Sequence, residues 1–231
     1  MKTMTKTDPV RFVTVSLALL TIAVLGLVLA WALWTLPPEA AGLSLLVSDN
    51  MPESGVSAQV TAILLNFRSY DTLLEIVVLL VALLGVWYQD SLQRPRHDPA
   101  PGPVLEALVQ LLVPVIIVVS GYILWLGSHA AGGAFQAGAL LAGAGVLMLV
   151  VSAEKLALRD NIRLRTLLVA GPGIFTLVAG GLMLSGNVML QYPLDYAGSY
   201  ILLIEAASTL TIGITLTLLF AGSRPRQGGQ N

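Results

Sequence analysis

Apolar residues fall along this chain in long unbroken runs, not in the alternating pattern of half-buried strands. The runs cover Phe12–Leu36, Ser57–Tyr88, Val104–Gly127, Ala134–Val151, Thr166–Leu184 and Ser199–Gly222. About 20 helical residues cross a hydrocarbon core of about 30 Å. The pattern therefore predicts an all-α polytopic membrane protein with six transmembrane helices. Five runs have ordinary span lengths. The second is too long: as one straight helix, Ser57–Tyr88 would measure about 48 Å at 1.5 Å per residue. Either Val56–Leu65 forms a cap at the outer surface, or the helix breaks near Asn66.

The polar segments between the runs divide the chain. Residues 89–103 contain Arg94-Pro95-Arg96-His97-Asp98-Pro99-Ala100-Pro101-Gly102-Pro103, an extended and non-helical linker. It separates a two-helix unit (1–88) from a four-helix unit (104–222), and residues 223–231 form a tail. The first run starts from basic residues as a signal peptide does. Its length exceeds the usual 7–15 residue apolar core and no small-residue cleavage site follows, so it reads as a retained helix. The connection from Pro37 to Val56 reads as a solvated loop, with a short surface element as the alternative. Pro114 should kink the third span, and Gly171-Pro172-Gly173 the fifth.

Charge orients the bundle. Of the 12 basic residues, only Arg68 falls outside the segments that are cytoplasmic if the amino terminus is. Loops 37–56, 128–133 and 185–198 hold none, so the positive-inside rule places both termini in the cytoplasm. Composition adds exclusions. Charged residues make up 11% and hydrophobic residues 56%, against about 25% charged in soluble domains. The net charge of −1 argues against nucleic acid. The chain has no cysteine, which excludes disulfides, thiolate chemistry and Cys-ligated metal or iron–sulfur centres on this chain. His97 and His129 lie in separate loops without metal-ligand spacing, and no metal or other cofactor is expected.

The polar positions inside the spans carry the candidate chemistry. Arg68, Asp71 and Glu75 are spaced to share one helix face. A charge in hydrocarbon costs roughly 2.5–3.5 kcal/mol on insertion scales and is usually paired and functional. Arg68 can pair with Asp71. Trp87 and Tyr88 look like the inner aromatic belt, and counting back from them puts that pair near the outer boundary, with Glu75 a turn deeper. A plain intrahelical pair explains Arg68 and Asp71 as well as function does; Glu75 is the stronger candidate, as proton carrier or cation ligand. Glu205 enters the sixth span without a basic partner on its helix. It must be protonated, hydrogen-bonded or facing another subunit. Glu106 reads as a helix-start acid. The turn Gly127-Ser128-His129-Ala130-Ala131-Gly132-Gly133-Ala134-Phe135-Gln136-Ala137-Gly138 allows a tight external hairpin. Gly138, Ala142 and Gly145 continue it as a small-residue helix interface. His129 reads as a loop residue, with a proton relay as the alternative.

Two of these stretches resemble one family. Asn66 to Glu75, Asn-Phe-Arg-Ser-Tyr-Asp-Thr-Leu-Leu-Glu, is similar to the Asp-Phe-Arg-Gly-Phe-Asp-Thr-Leu-Gly-Glu motif ending the large A subunit of Mrp-type multisubunit cation/proton antiporters. A small separate subunit of archaeal membrane-bound hydrogenases carries a similar motif. Residues 129–138 resemble the His-x-x-Pro-Gly-Gly-Gly-Phe-Gln-Gly-Gly motif of the four-helix Mrp B subunit. Arg68, Asp71, Thr72 and Glu75 match the first motif; Asn66, Ser69 and Leu74 depart from it. His129, Gly132, Gly133, Phe135, Gln136 and Gly138 match the second; Ala131, Ala134 and Ala137 depart. The resemblance implies a non-catalytic subunit of a Na+/H+ antiporter complex in a prokaryotic cell membrane. Its expected partners are larger antiporter-like membrane subunits. Glu75, Asp71, Arg68, Glu205 and His129 are then candidates for the ion or proton path, and the glycines, Phe135 and Gln136 for turn and packing. A redox-driven, hydrogenase-like ion pump or a purely structural assembly subunit is the alternative.

Overall fold

The computed structural model describes residues 9–36, 43–90, 102–152, 162–187 and 189–222. The chain divides into two compact units, Met1–Ser44 and Leu45–Asn231. The described part of the first is essentially one helix, α1 (Pro9–Trp34), whose assessed side chains are all exposed. An apolar helix with no buried side suits a lipid or protein environment, not water.

Every regular element among the described residues of the second unit is a helix. Helix α2 (Leu43–Ser54) occupies most of the connection read as a solvated loop. A short α3 (Gln59–Ala62) runs into a π-helical turn (Ile63–Phe67), followed by α4 (Ser69–Asp90). Then come α5 (Pro103–Leu126), α6 (Ala134–Ser152), α7 (Ile162–Leu184) and α8 (Ala197–Gly222). Among the described residues, α1 and α4–α8 are the six helices long and apolar enough to cross a membrane, so the six-helix expectation holds. Residues 91–101 of the proline-rich linker and both chain ends lie outside the described residues.

The central helix is α8, packed against α6 and α7 and, over shorter stretches, α4 and α5. Isoleucines 201, 204 and 212 from α8 meet Phe175 of α7 and Ile76 of α4 in the main core, and Leu83, Leu164, Leu168 and Leu218 form a second one. Elsewhere leucines and valines point outward along α4, α5 and α7. Lipid tails are as apolar as these side chains, so no hydrophobic force drives the helices together; small residues and buried hydroxyls hold them. A Cβ on Gly138 would lie 2.8 Å from Ile212 Cβ. This close approach explains the stripe of small residues on α6.

Both prolines lie inside continuous helices. In α7 the Thr211 hydroxyl accepts from Gly171 N–H (2.8 Å) and donates to the Leu167 carbonyl (2.9 Å). A regular helix pairs those two backbone groups with each other. The hydroxyl of α8 thus enters the α7 ladder one residue before Pro172.

Candidate functional site

The long second run breaks where its charges begin. Arg68 leaves helical geometry at φ −128°, ψ 36°, and its N–H bonds Ile63 O, five residues back, at 2.7 Å. The break frees carbonyls that need other partners. Side chains satisfy them: Thr72 Oγ1 donates to Leu64 O (2.6 Å), and Tyr192 Oη donates to Leu65 O (3.0 Å). Asn66 Nδ2 reaches Ser54 O at 3.4 Å. Tyr192 lies in the connection before α8, where burial pushes its phenol above the usual tyrosine range and keeps it a donor.

Arg68 sits at the break itself, not on a continuous helix as its spacing suggested. It pairs with Asp71 Oδ2 at 2.5 Å. Asp71 lies in the first turn of α4, where the helix dipole also favours an acid. Both side chains are about half exposed, 61% and 45%. Glu75, one turn along, is exposed too, whereas Thr72 and Ile76 beside it are buried. The acidic face of α4 therefore points away from this chain's own core.

The second motif is built around a different carboxylate. Gly133 N–H bonds Ile123 O at 3.1 Å, which folds the turn back onto the end of α5. Gly133 has φ +106°, and a Cβ there would lie 2.7 Å from Glu205 Oε1. Glu205 is 4% exposed. It accepts a hydrogen bond from the backbone of Ala134, the first residue of α6, one of the N–H groups that a helix leaves unpaired. Its Oε2 is buried without a partner among the described residues. Of the three options left open for Glu205, the hydrogen-bonded one is realised, at the start of α6.

The segment leading into the first motif meets the turn that carries the second. The hydroxyl of Thr61 in α3 donates to Gly127 O, and the N–H groups of Ser57 and Ala58 donate to Ser128 O at 3.3 and 3.2 Å. His129 is exposed and hydrogen-bonds Ser128 Oγ through Nδ1 at 2.7 Å. Both residues line a cleft of about 420 Å³ with Met51, Val56, Ser57 and Gly198. Phe135 packs on the main core, Gln136 is exposed and Gly138 is buried against α8. Not anticipated were the buried hydroxyls of α8, Ser208, Thr209, Thr211, Thr215 and Thr217. The steps of three and four residues from Ser208 to Thr211 to Thr215 within an apolar run were the available signal.

These features define a polytopic helical membrane subunit with a broken, charged helix docked on a four-helix unit. Residues 104–222, more than half of the chain, match a family described as a domain related to the MnhB subunit of Na+/H+ antiporter. Residues 10–107 match a second family, MbhE, described as the E subunit of MBH. The comparison with curated proteins gives no match. Among solved structures, one chain from the membrane-bound sulfane sulfur reductase, an archaeal respiratory membrane complex, is similar with TM-score 0.68 and 23% identity. The similarity covers 91% of this chain and 97% of that one. A chain of the Mrp complex from Dietzia sp. DQ12-45-1b gives TM-score 0.64 and 22% identity, over 95% of this chain and 26% of that one. At these identities the likeness is one of fold. The chain belongs to this family related to the MnhB subunit of Na+/H+ antiporter, and it is a multi-pass membrane subunit.

Proposed function

We propose that this subunit contributes the acidic face of α4 to the cation and proton route of its complex and catalyses no reaction of its own. The exposed carboxylate of Glu75 carries this reading. Arg68 is already engaged by Asp71 at 2.5 Å, and Glu75 stands one turn along on a span-forming helix, facing outward. Such a group needs a counter-charge, a proton or a cation in hydrocarbon, and a neighbouring antiporter-like subunit would close the site around it. Glu75 would alternate between protonated and cation-bound or ion-paired states, with Arg68 and Asp71 tuning it. His129 belongs to the external cleft in this reading, and both chain ends are cytoplasmic. The expected outcome of Glu75→Gln is a loss of about tenfold or more in cation-dependent proton flux through vesicles holding the assembled complex. Unchanged flux would leave the subunit a scaffold.

A second reading is favoured by one observation. The chain corresponds to nearly the whole of the sulfane sulfur reductase chain but to about a quarter of the Mrp chain. A redox-driven complex would use the same subunit to couple electron transfer to ion movement. With no cysteine here, any iron–sulfur centre would rest on partners. Purifying the tagged chain decides: co-purifying iron–sulfur subunits support this reading, and antiporter-like subunits alone support the first.

A further inference from the structure

Among the described residues, Leu190 is the one non-glycine residue with a positive φ, +61°. A bulky side chain is strained in that region, and such strain persists only where the surroundings impose it. Leu190 is also 1% exposed and sits in the main core with Leu65, Ile76 and Leu182. Glycine would take this backbone shape without strain, but it would leave that place in the core empty. Burial of the side chain thus holds the turn in its strained form.

The neighbours of Leu190 show what this turn grips. Met189 Sδ accepts from Tyr70 Oη at 2.7 Å, and Tyr192 Oη donates to Leu65 O at 3.0 Å. Leu65 lies in the π-helical turn and Tyr70 in the first turn of α4, so the two contacts straddle Arg68. Residues three apart on an extended strand point to opposite faces. The left-handed turn at Leu190 brings both side chains onto the same break. Both flanks are braced. Helix α7 closes at Gly186 (φ +85°), where Gly186 N–H bonds Met183 O and Asn187 N–H bonds Leu182 O, each at 3.1 Å, a Schellman cap. Tyr192 stacks on Tyr200 of α8 with ring centroids 6.3 Å apart, and Pro193 after it biases its backbone toward the extended form. Tyr70 is 58% exposed, so packing of α4 on the core does not require its bond to Met189.

We infer that Met189, Leu190 and Tyr192 form a clasp that sets the pose of the charged end of α4, and that they are positioning residues for ion movement at Asp71 and Glu75. A helix end held at one point can still turn about its axis. Contacts at Leu65 and Tyr70, one on each side of the break, remove that freedom. Asp71 follows Tyr70 directly and Glu75 stands five residues on, so a rotation at Tyr70 carries both acids round with it. The clasp residues are uncharged and act only through α4, so their role rests on the function proposed above for its acidic face.

The experiment measures proton flux of the whole complex in proteoliposomes over a range of Na+ concentrations. A spin label at Val78→Cys, an exposed position on α4, reports the pose of the helix, and the chain has no cysteine of its own to compete for label. Met189→Leu and Tyr70→Phe remove the bond between sulfur and hydroxyl while keeping the bulk. Each should raise the half-saturating Na+ concentration about two- to tenfold, the factor that one ordinary hydrogen bond commands. Maximal flux, assembly and thermal stability should stay near native. The double variant should do no more than either single one, because both remove the same bond. Leu190→Gly should raise the half-saturating concentration too, although it relieves strain, whereas Leu190→Met keeps the apolar bulk and should behave as native. The label should report a changed pose in the same variants. A merely structural turn would let these substitutions alter thermal stability with Na+ dependence and label spectrum native, and that outcome overturns the proposal. If Leu190→Gly fails to assemble, the Met189 and Tyr70 variants decide. Unchanged flux in Glu75→Gln removes the function proposed for α4, and the label spectrum then decides alone whether the clasp sets the pose of the helix. Lowered flux in Glu75→Gln with native Na+ dependence in every clasp variant leaves the α4 function standing and overturns the clasp.

Discussion

Single residues carry more of the functional architecture here than their chemistry suggests. Thr72, inside the charged motif, is a structural hydroxyl that satisfies the Leu64 carbonyl at the break. Gly133 combines a positive φ with a position that faces Glu205 Oε1. Gly133→Ala should therefore destabilise the purified complex by about 1–3 kcal/mol through backbone strain, with added cost from the contact. Adding Glu205→Ala should relieve the contact part alone, which thermal unfolding of the single and double variants resolves. At this scale the sequence was informative about identity and silent about orientation. It singled out Arg68, Asp71, Glu75 and Glu205 because charge inside an apolar run is visible without coordinates. It could not tell that Glu205 meets the glycine turn, since that contact joins distant segments. Nor could it tell that Glu75 looks outward, because helical periodicity in a span apolar on all sides does not mark its buried face.

At the scale of elements, the break between α3 and α4 is held from several directions. Thr72 and Tyr192 satisfy adjacent carbonyls, Leu64 and Leu65. Thr72→Val and Tyr192→Phe should each cost about 1–3 kcal/mol, the cost of leaving one buried acceptor unpaired. Because both act on the same turn, the double variant should deviate from additivity by about 0.5 kcal/mol or more in a thermal-stability cycle. The length of the second run foretold a break near Asn66, and the backbone departs at Arg68. The π-helical form was not legible, because it depends on an acceptor at the α2 end and a donor from the connection before α8. The loop expected at Pro37–Val56 is largely helix α2, although Pro52 lies within it. A proline near the end of a short helix spoils few backbone bonds.

For the whole molecule, six spans followed from run length alone, and the positive-inside asymmetry gives the expected orientation. The lack of native cysteine makes that testable. Arg94→Cys should react with an impermeant maleimide only in inside-out vesicles, and Ala131→Cys only in right-side-out ones; the opposite pattern would invert the topology. Packing order was less legible. The linker suggests two helices beside four, yet α4 packs directly on α7 and α8.

The contact between Gly133 and Glu205 has a consequence for descent. A backbone kept bare by a carboxylate, and a carboxylate held by that backbone, cannot drift separately. Among relatives, a side chain at position 133 should accompany a shorter residue at position 205, so that two distant sites are inherited as a single character.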